Sequence, residues 1–282
     1  MERSRTFYYN LRRFHNWIKR GLINRYLTNS RVLDLASGKG GDLNKWIDAG
    51  VLQVEGYDID VPSVLEARRR LQNTDTKNTS IKYHVQDLSK HTITEYGSER
   101  FDAVASMFAF HYFFEGESSL LTILETIQYN LKVGGYFVCC LFDGDLIEAK
   151  LNSGLFLTPN FKITRKMVME NDSPYGNRIG VLMRETVLDQ EMDEYIVRPK
   201  DLIGILKWWG LELVETKGFG EVYSEWESQD RRNRLNRFDQ EVSFLNRYYI
   251  FKRVTDVFQN LECMHKLLRT KTTKNENGQF YP

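Results

Sequence analysis

RVLDLASGKGG, residues 31–41, is a short apolar run that breaks at once into a turn carrying Gly38, Gly40 and Gly41. A helix-like stretch follows from Asp42 to Ala49. Strand, glycine turn and helix in this order open a layered α/β fold. Upstream, residues 5–27 set Phe7, Leu11, Phe14, Trp17, Ile18 and Leu22 at helical spacing. Downstream, LQVEGYD (52–58) reads as a second strand ending in an acid, and VPSVLEARRRL (61–71) as a helix with Pro62 in its first turn. SIKYHVQD (80–87) is a third strand that also ends in an acid, and FDAVASMFAF (101–110) is a fourth. SLLTILETIQYNL (119–131) is a helix stopped by Gly134-Gly135, before a fifth strand, YFVCCLF (136–142). Strands this apolar, interleaved with helices, predict a parallel sheet covered on both faces and doubly wound by right-handed crossovers.

The second half is less regular. FKITRKMVME, RIGVLMRETVL and EYIV within 161–197 read as strands of a small antiparallel insertion. PKDLIGILKWWG (199–210) is a helix with proline at its start; LELVETKGF and RYYIFKRV are the last two strands of the main sheet. Between them RRNRLNR (231–237) reads as a surface helix, or as a segment that tracks an RNA backbone. One domain is expected over 1–282. It comprises a helical lead-in (1–30), a ligand-binding core (31–145), an inserted lobe (146–200), the closing helices and strands (201–253), and a C-terminal segment with a polar tail (254–282).

The 282 residues are 41% hydrophobic and 27% charged, an ordinary globular balance. The formal net charge of +1 means that any nucleic-acid site is a local basic patch. Cys139, Cys140 and Cys263 show no CxxC spacing, which speaks against a disulfide framework or a zinc site. No apolar stretch approaches the roughly eighteen residues of a membrane span, and MERSRTFYYNLRRFHNW lacks the apolar block of a signal peptide. A soluble, intracellular chain with no membrane partner and no metal is expected.

The glycine turn is specific in what it lacks. A dinucleotide fingerprint, G-x-G-x-x-G, needs a third glycine where this chain has Leu43. Asp34, just before the turn, opposes a pyrophosphate and favours a ligand carrying an ammonium or a sulfonium. Asp58, twenty residues after Gly38, stands where a carboxylate accepts from ribose hydroxyls; its other reading is a helix cap. Asp87 either reaches an adenine amino group or caps the next helix.

This constellation resembles the mRNA cap guanine-N7 methyltransferases of eukaryotes and large DNA viruses. HNWIK (15–19), VLDLASGKGGDLNKW (32–46), GYDID (56–60), FHYFF (110–114) and GGYF (134–137) support it, with looser points at EYIV (194–197), GEVYSEW (220–226) and YYIFKR (248–253). The family usually has asparagine where His15 stands, and Gly-Cys where Ala36-Ser37 stand, which marks a divergent member. The resemblance implies a class I methyltransferase fold, Rossmann-like, with an antiparallel last strand. It implies transfer of a methyl group from S-adenosylmethionine to guanine N7 of a capped RNA 5' end. Implied partners are other capping-enzyme domains in the same polypeptide or an activating subunit. The location would be cytoplasmic for a viral member and nuclear for a cellular one.

By the same resemblance Lys19 meets the donor's carboxylate and Asp34 its ammonium. Ala36, Ser37 and Gly38 form the turn, Asp58 holds the ribose, and Asp87, Met107, Phe108 and Ala109 frame the adenine. Asn16, Lys39 and Arg70 fall on the cap side, the latter two at its phosphates; His111, Tyr112, Glu194 and Tyr223 hold the guanine. Guanine N7 has a lone pair and no proton, so no residue is expected to act as acid or base, and Tyr112 and Glu194 serve positioning. Other readings remain. Arg68–Arg70 form the solvated face of a helix, Phe108, Phe110, Tyr112 and Phe114 alternate as in sheet core, and Glu194 competes with Glu191 and Asp193. Competing functions are methylation of another RNA position or a small molecule, a nicotinamide oxidoreductase, and a non-catalytic RNA-binding module.

Overall fold

A computed structural model describes residues 8–96, 98–154, 156–157, 160–169, 172–184 and 190–256. Helix α1 (Tyr9–Tyr26) buries Leu11, Phe14, Ile18 and Leu22, the stripe its spacing predicts; Phe7 lies outside the described residues. Strands β1 (Arg31–Leu35), β2 (Gln53–Asp58), β3 (Ser80–Val85), β4 (Phe101–Met107) and β5 (Leu131–Phe142) alternate with helices α2 (Leu43–Asp48), α3 (Val61–Gln72) and α4 (Glu117–Asn130). The Asp60 carboxylate accepts from Ser63 N at 2.9 Å and starts α3, with proline in the first turn.

After α5 (Gly144–Asn152) come β6 (Phe156–Leu157), β7 (Phe161–Met167), β8 (Arg178–Met183) and β9 (Met192–Tyr195). The chain closes with α6 (Pro199–Trp208), β10 (Leu211–Gly218), α7 (Tyr223–Gln229), α8 (Arg237–Ser243) and β11 (Asn246–Arg253). The main sheet runs β3-β2-β1-β4-β5-β11-β10, and β6-β7-β8-β9 form a second sheet. β1 to β5 are parallel, whereas β11 is antiparallel to both neighbours. The second sheet is antiparallel throughout. The strand order reverses between β1 and β4, the crevice where such sheets bind ligands. Side-chain alternation divides the core: Leu33 and Leu35 pack with α4 and α6, Val32 and Val54 with α1, α2 and α3.

Three expectations are corrected. Gly134-Gly135 do not stop α4, which ends at Asn130; they lie inside β5, and a Cβ on Gly135 would sit 2.6 Å from the Asp102 carbonyl oxygen. The glycines allow β5 to pass β4 where the pairing slips between Phe101 and Ala103. β4 ends at Met107, and Phe110–Glu115 form a 3-10 helix, so the aromatic alternation there is not a strand. Residues 231–236 are turn and irregular chain rather than helix, and α8 begins only at Arg237.

Ala36 holds φ +58°, a left-handed conformation that disfavours any Cβ. Replacing it with glycine should raise stability by about 1 kcal/mol, after allowing for the greater freedom of the unfolded chain. That corresponds to a rise of about 2–4 °C in Tm by calorimetry; an unchanged or lower Tm would show that the turn bears no strain at Ala36.

Candidate active site

The turn after β1 is held from β2. Ser37 N donates to the Tyr57 carbonyl at 2.9 Å, and Gly38 N donates to Asp58 Oδ2 at 2.7 Å. The second oxygen of Asp58 accepts from Asp60 N at 2.9 Å. Gly38 and Gly40 take φ of +52° and +65°. Gly40 is also tight: a Cβ would lie 3.0 Å from the Tyr83 hydroxyl. That hydroxyl and Ser37 Oγ are buried at the turn without hydrogen-bond partners.

Beneath the turn lies an ionic cluster. Lys19 Nζ, from α1, is 2.6 Å from Asp42 Oδ1, and Lys45 Nζ, from α2, is 2.7 Å from the same oxygen. Burial alone would raise the Asp42 carboxyl, but Lys19 and Lys45 hold it below its usual range. Asp34 is also buried. Desolvation pushes its carboxyl well above the usual value, Asp42 adds to the rise, and Lys19 opposes it. A cation entering beside Asp34 would restore its charge. Sequence reasoning quoted Asp42 and Lys45 within KGGDLNKW and gave them no role. The i, i+3 pairing of acid and lysine at a helix start was the available signal.

One wall of the crevice is aromatic. Phe108, at φ +65°, donates its N–H to the Cys140 carbonyl at 2.8 Å, and its ring stacks on His15 with centroids 5.1 Å apart. Lys19 Nζ lies 5.8 Å from the centre of the Phe108 ring. His15 Nε2 is 2.8 Å from Ser243 Oγ, and burial, with Lys19 nearby, lowers its imidazole to about 3. His15 is thus a neutral packing element behind Phe108. Met107 is half-buried, with Cys140 Sγ 3.8 Å from its sulfur, and Ala109 is buried.

The opposite wall brings a 3-10 helix against the second sheet. His111 and Glu194 are 4% and 3% exposed, with Nε2 and Oε2 3.3 Å apart. That approach suits an ion pair, yet neither imidazole nitrogen nor Glu194 Oε2 makes a hydrogen bond. Burial lowers the imidazole to about 3 and raises the carboxyl to about 8. The pair is therefore neutral near pH 7, with polar atoms unsatisfied inside the protein. Such atoms are costly to keep without a partner. Tyr112 stands between the two walls: burial raises its phenol, and the charges of Glu194 and Asp58 both add to the shift. The alternation of β9 decides among the three acids. Glu191 and Asp193 pair outside with Lys162, Lys166 and Arg178, while Glu194 turns in.

Residues 1–270 match the mRNA (guanine-N(7))-methyltransferase domain. The chain belongs to that family. It is 32% identical over 250 residues to an mRNA cap guanine-N(7) methyltransferase of Caenorhabditis elegans, covering 81% of this chain and 64% of that one. It is 26% identical over 345 aligned positions to a probable mRNA-capping enzyme of Acanthamoeba polyphaga mimivirus, covering 96% of this chain and 29% of that protein. The chain thus spans less than two thirds of each relative. Among solved structures, a putative S-adenosylmethionine-dependent methyltransferase from Listeria monocytogenes superposes with a TM-score of 0.57 at 16% identity. That alignment covers 86% of this chain and 98% of that one, and shows the shared fold.

For a member of this cap-methyltransferase family, the remaining expected residues differ in placement. Asn16, on α1, and Lys39, in the turn, are exposed. Arg70 is half-buried, with Nε 2.8 Å from Glu66, and Arg69 shares that carboxylate. Arg68 donates twice to the Tyr83 carbonyl, so the arginine run is more engaged than a solvated face. Asp87 accepts from Ser89 N and Oγ and pairs with Lys90 at 3.0 Å, the local-cap arrangement. The Tyr223 hydroxyl donates to Glu227 at 2.8 Å and accepts from Leu235 N, while its ring packs on Phe14 and Phe244. Among the described residues no helix is long and apolar enough to cross a membrane.

Proposed function

We propose that the chain methylates N7 of the cap guanosine of RNA with S-adenosylmethionine as donor. The observation that supports this best is the buried His111–Glu194 pair, whose two imidazole nitrogens and Glu194 Oε2 make no hydrogen bond within the protein. Guanine N1–H and its 2-amino group are two donors on one edge, the pattern a carboxylate accepts as a fork. On guanine binding Glu194 would lose its proton, because the new donors replace the water that burial removed.

The donor side fits as well. Asp34 and Asp58 face the turn with acids suited to an ammonium and to ribose hydroxyls. Ser37 Oγ and Tyr83 Oη are free to bond there, and Lys19 is close to Phe108. Lys19 would leave Asp42 for the donor's carboxylate, and Asp87 would trade one local bond for the adenine amino group. The donor supplies a methyl group made electrophilic by a sulfonium. N7 takes the methyl with its own lone pair as the carbon–sulfur bond breaks, and no proton moves at N7. Glu194, ionised, would stabilise the positive charge that the purine acquires. Tyr112, between Glu194 and Asp58, would fix the angle between acceptor and donor. Location, activating subunits and capping domains in cis are expectations from the family alone.

The test is incubation with methyl-labelled S-adenosylmethionine and two RNAs, one ending in GpppA and one in a triphosphate. Digestion should release label only as 7-methylguanosine and only from the capped RNA. Label in any other nucleotide, or equal label in both RNAs, would refute the assignment.

A further inference from the structure

The segment Asp230–Arg237 lies against α1 and is built in an alternating fashion. Asn233 and Leu235 are buried, while Arg232, Arg234 and Asn236 between and beside them are exposed, as is Arg231. The buried half pins the segment. Asn233 donates to the Trp226 carbonyl at 2.8 Å, and Leu235 N donates to the Tyr223 hydroxyl at 3.1 Å. Arg13 of α1 donates to Asn233 Oδ1 at 2.7 Å and to the Arg232 carbonyl at 3.2 Å, its guanidinium lying 5.9 Å from the Trp226 ring centre. Arginine here fixes backbone, and the exposed arginines are left to face solvent from an ordered edge.

Their counter-charges are few. Asp230 pairs with Arg232 and Glu241 with Arg237. Among the described residues no carboxylate pairs with Arg231 or Arg234. The backbone there is held in turns, with Asn233 N donating to the Asp230 carbonyl at 2.7 Å and Arg234 N to the Arg232 carbonyl at 3.1 Å, so the exposed arginines are carried on a fixed backbone. The edge is tied to the donor wall from behind. Tyr223, which holds Leu235, packs on Phe14 at 5.7 Å, and the next residue, His15, stacks on Phe108 of the donor wall.

We propose that residues 231–237 form a track for the single-stranded RNA that follows the cap, with Arg231, Arg232 and Arg234 on its phosphates. A chain of net charge +1 gathers four arginines within seven residues here, and the ligand that such an ordered edge fits is a flexible polyanion. This inference rests on the capped-RNA reading above, and its test is separable from it.

The full chain and a double variant, Arg231→Ala with Arg234→Ala, are compared in two measurements. The first is binding of a fluorescent capped 12-mer RNA by anisotropy at several salt concentrations, which needs no turnover. The second is methyl transfer to that RNA and to the dinucleotide GpppA. Loss of two phosphate contacts should weaken RNA binding by about ten-fold or more near 0.1 M salt and flatten the log Kd against log salt slope by about 1.4. Transfer to GpppA should be unchanged, and KM for the RNA should rise toward the dinucleotide value. Equal RNA affinity and equal slope in both proteins would overturn the track, even if methylation proceeds. A wild-type chain that binds the 12-mer no better than GpppA would overturn it too. RNA binding that depends on these arginines in a chain that methylates neither substrate would keep the track and sink the cap reading.

Discussion

Glu194→Gln is expected to lower kcat/KM on capped RNA by about 10²–10³-fold while the affinity for S-adenosylmethionine stays the same. The carboxylate would meet two guanine donors and also oppose the positive charge formed at transfer, and losing one such preorganised group has an effect of that size. Glutamine keeps the shape and one acceptor, but its amide N–H₂ faces a guanine donor. The measurement is initial-rate kinetics with GpppA-capped RNA, with donor binding by calorimetry. A variant that keeps most of its activity would remove Glu194 from the guanine site.

The same residue gives a pH dependence. In the free protein burial raises the Glu194 carboxyl to about 8. Since kcat/KM reports groups of the free enzyme, it should rise with pH up to about 8 and then level, and the rise should vanish in Glu194→Gln. Stability runs the other way. A carboxyl raised in the folded state binds more protons folded than unfolded between its two pKa values. Wild type therefore loses stability as pH climbs from about 4.5 to about 8. The variant lacks that loss, so its Tm should exceed that of wild type by a margin that grows through this window. His111, lowered to about 3, costs stability as pH falls below about 6.5, in both proteins alike. A Tm difference that does not change with pH would mean that Glu194 is ionised in the free protein.

Much of this site is legible before any coordinates, for a physical reason. A glycine turn between strand and helix, and acids just after parallel strands, are local patterns, so Gly38, Asp34 and Asp58 read directly from spacing. Doubly wound topology follows from apolar strands alternating with helices, which is why the main sheet matches expectation and the antiparallel β11 was set by resemblance. Non-local pairs are not legible. Nothing near Lys19 or Asp42 in the chain says that they meet at 2.6 Å, since their contact depends on α1 crossing α2. His111 and Glu194 are 83 positions apart and join only because β9 packs on the 3-10 helix. Tyr223 shows a local use that the chain alone does not reveal. Its place in GEVYSEW suggested the guanine, while its hydroxyl is used by Glu227 and Leu235. Backbone irregularities misled too: the glycine pair inside β5 answers a close strand contact that no local pattern records.

Asp58→Ala should raise the donor's Kd by about 10²–10³-fold, the largest effect expected at the donor end. Two charge-assisted bonds to ribose hydroxyls, at about 1.5–2 kcal/mol each, account for that range. The substitution also removes the acceptors of Gly38 N and Asp60 N, so some lost affinity could come from a loosened turn. Two comparisons separate these contributions. Asp58→Asn keeps an acceptor for Gly38 N and loses the charge, so it should restore most of the Tm and little of the affinity. A ligand series divides the donor: adenosine should lose affinity in Asp58→Ala as S-adenosylhomocysteine does, whereas Lys19→Ala should weaken S-adenosylhomocysteine and spare adenosine. If Asp58→Ala lowers Tm by calorimetry yet binds adenosine as wild type does, Asp58 serves the turn alone. The ribose would then need another acceptor near β2. If both comparisons come out as expected, the acid that ends β2 serves backbone and ligand at once: its oxygens order the turn, and its charge is what the ribose needs.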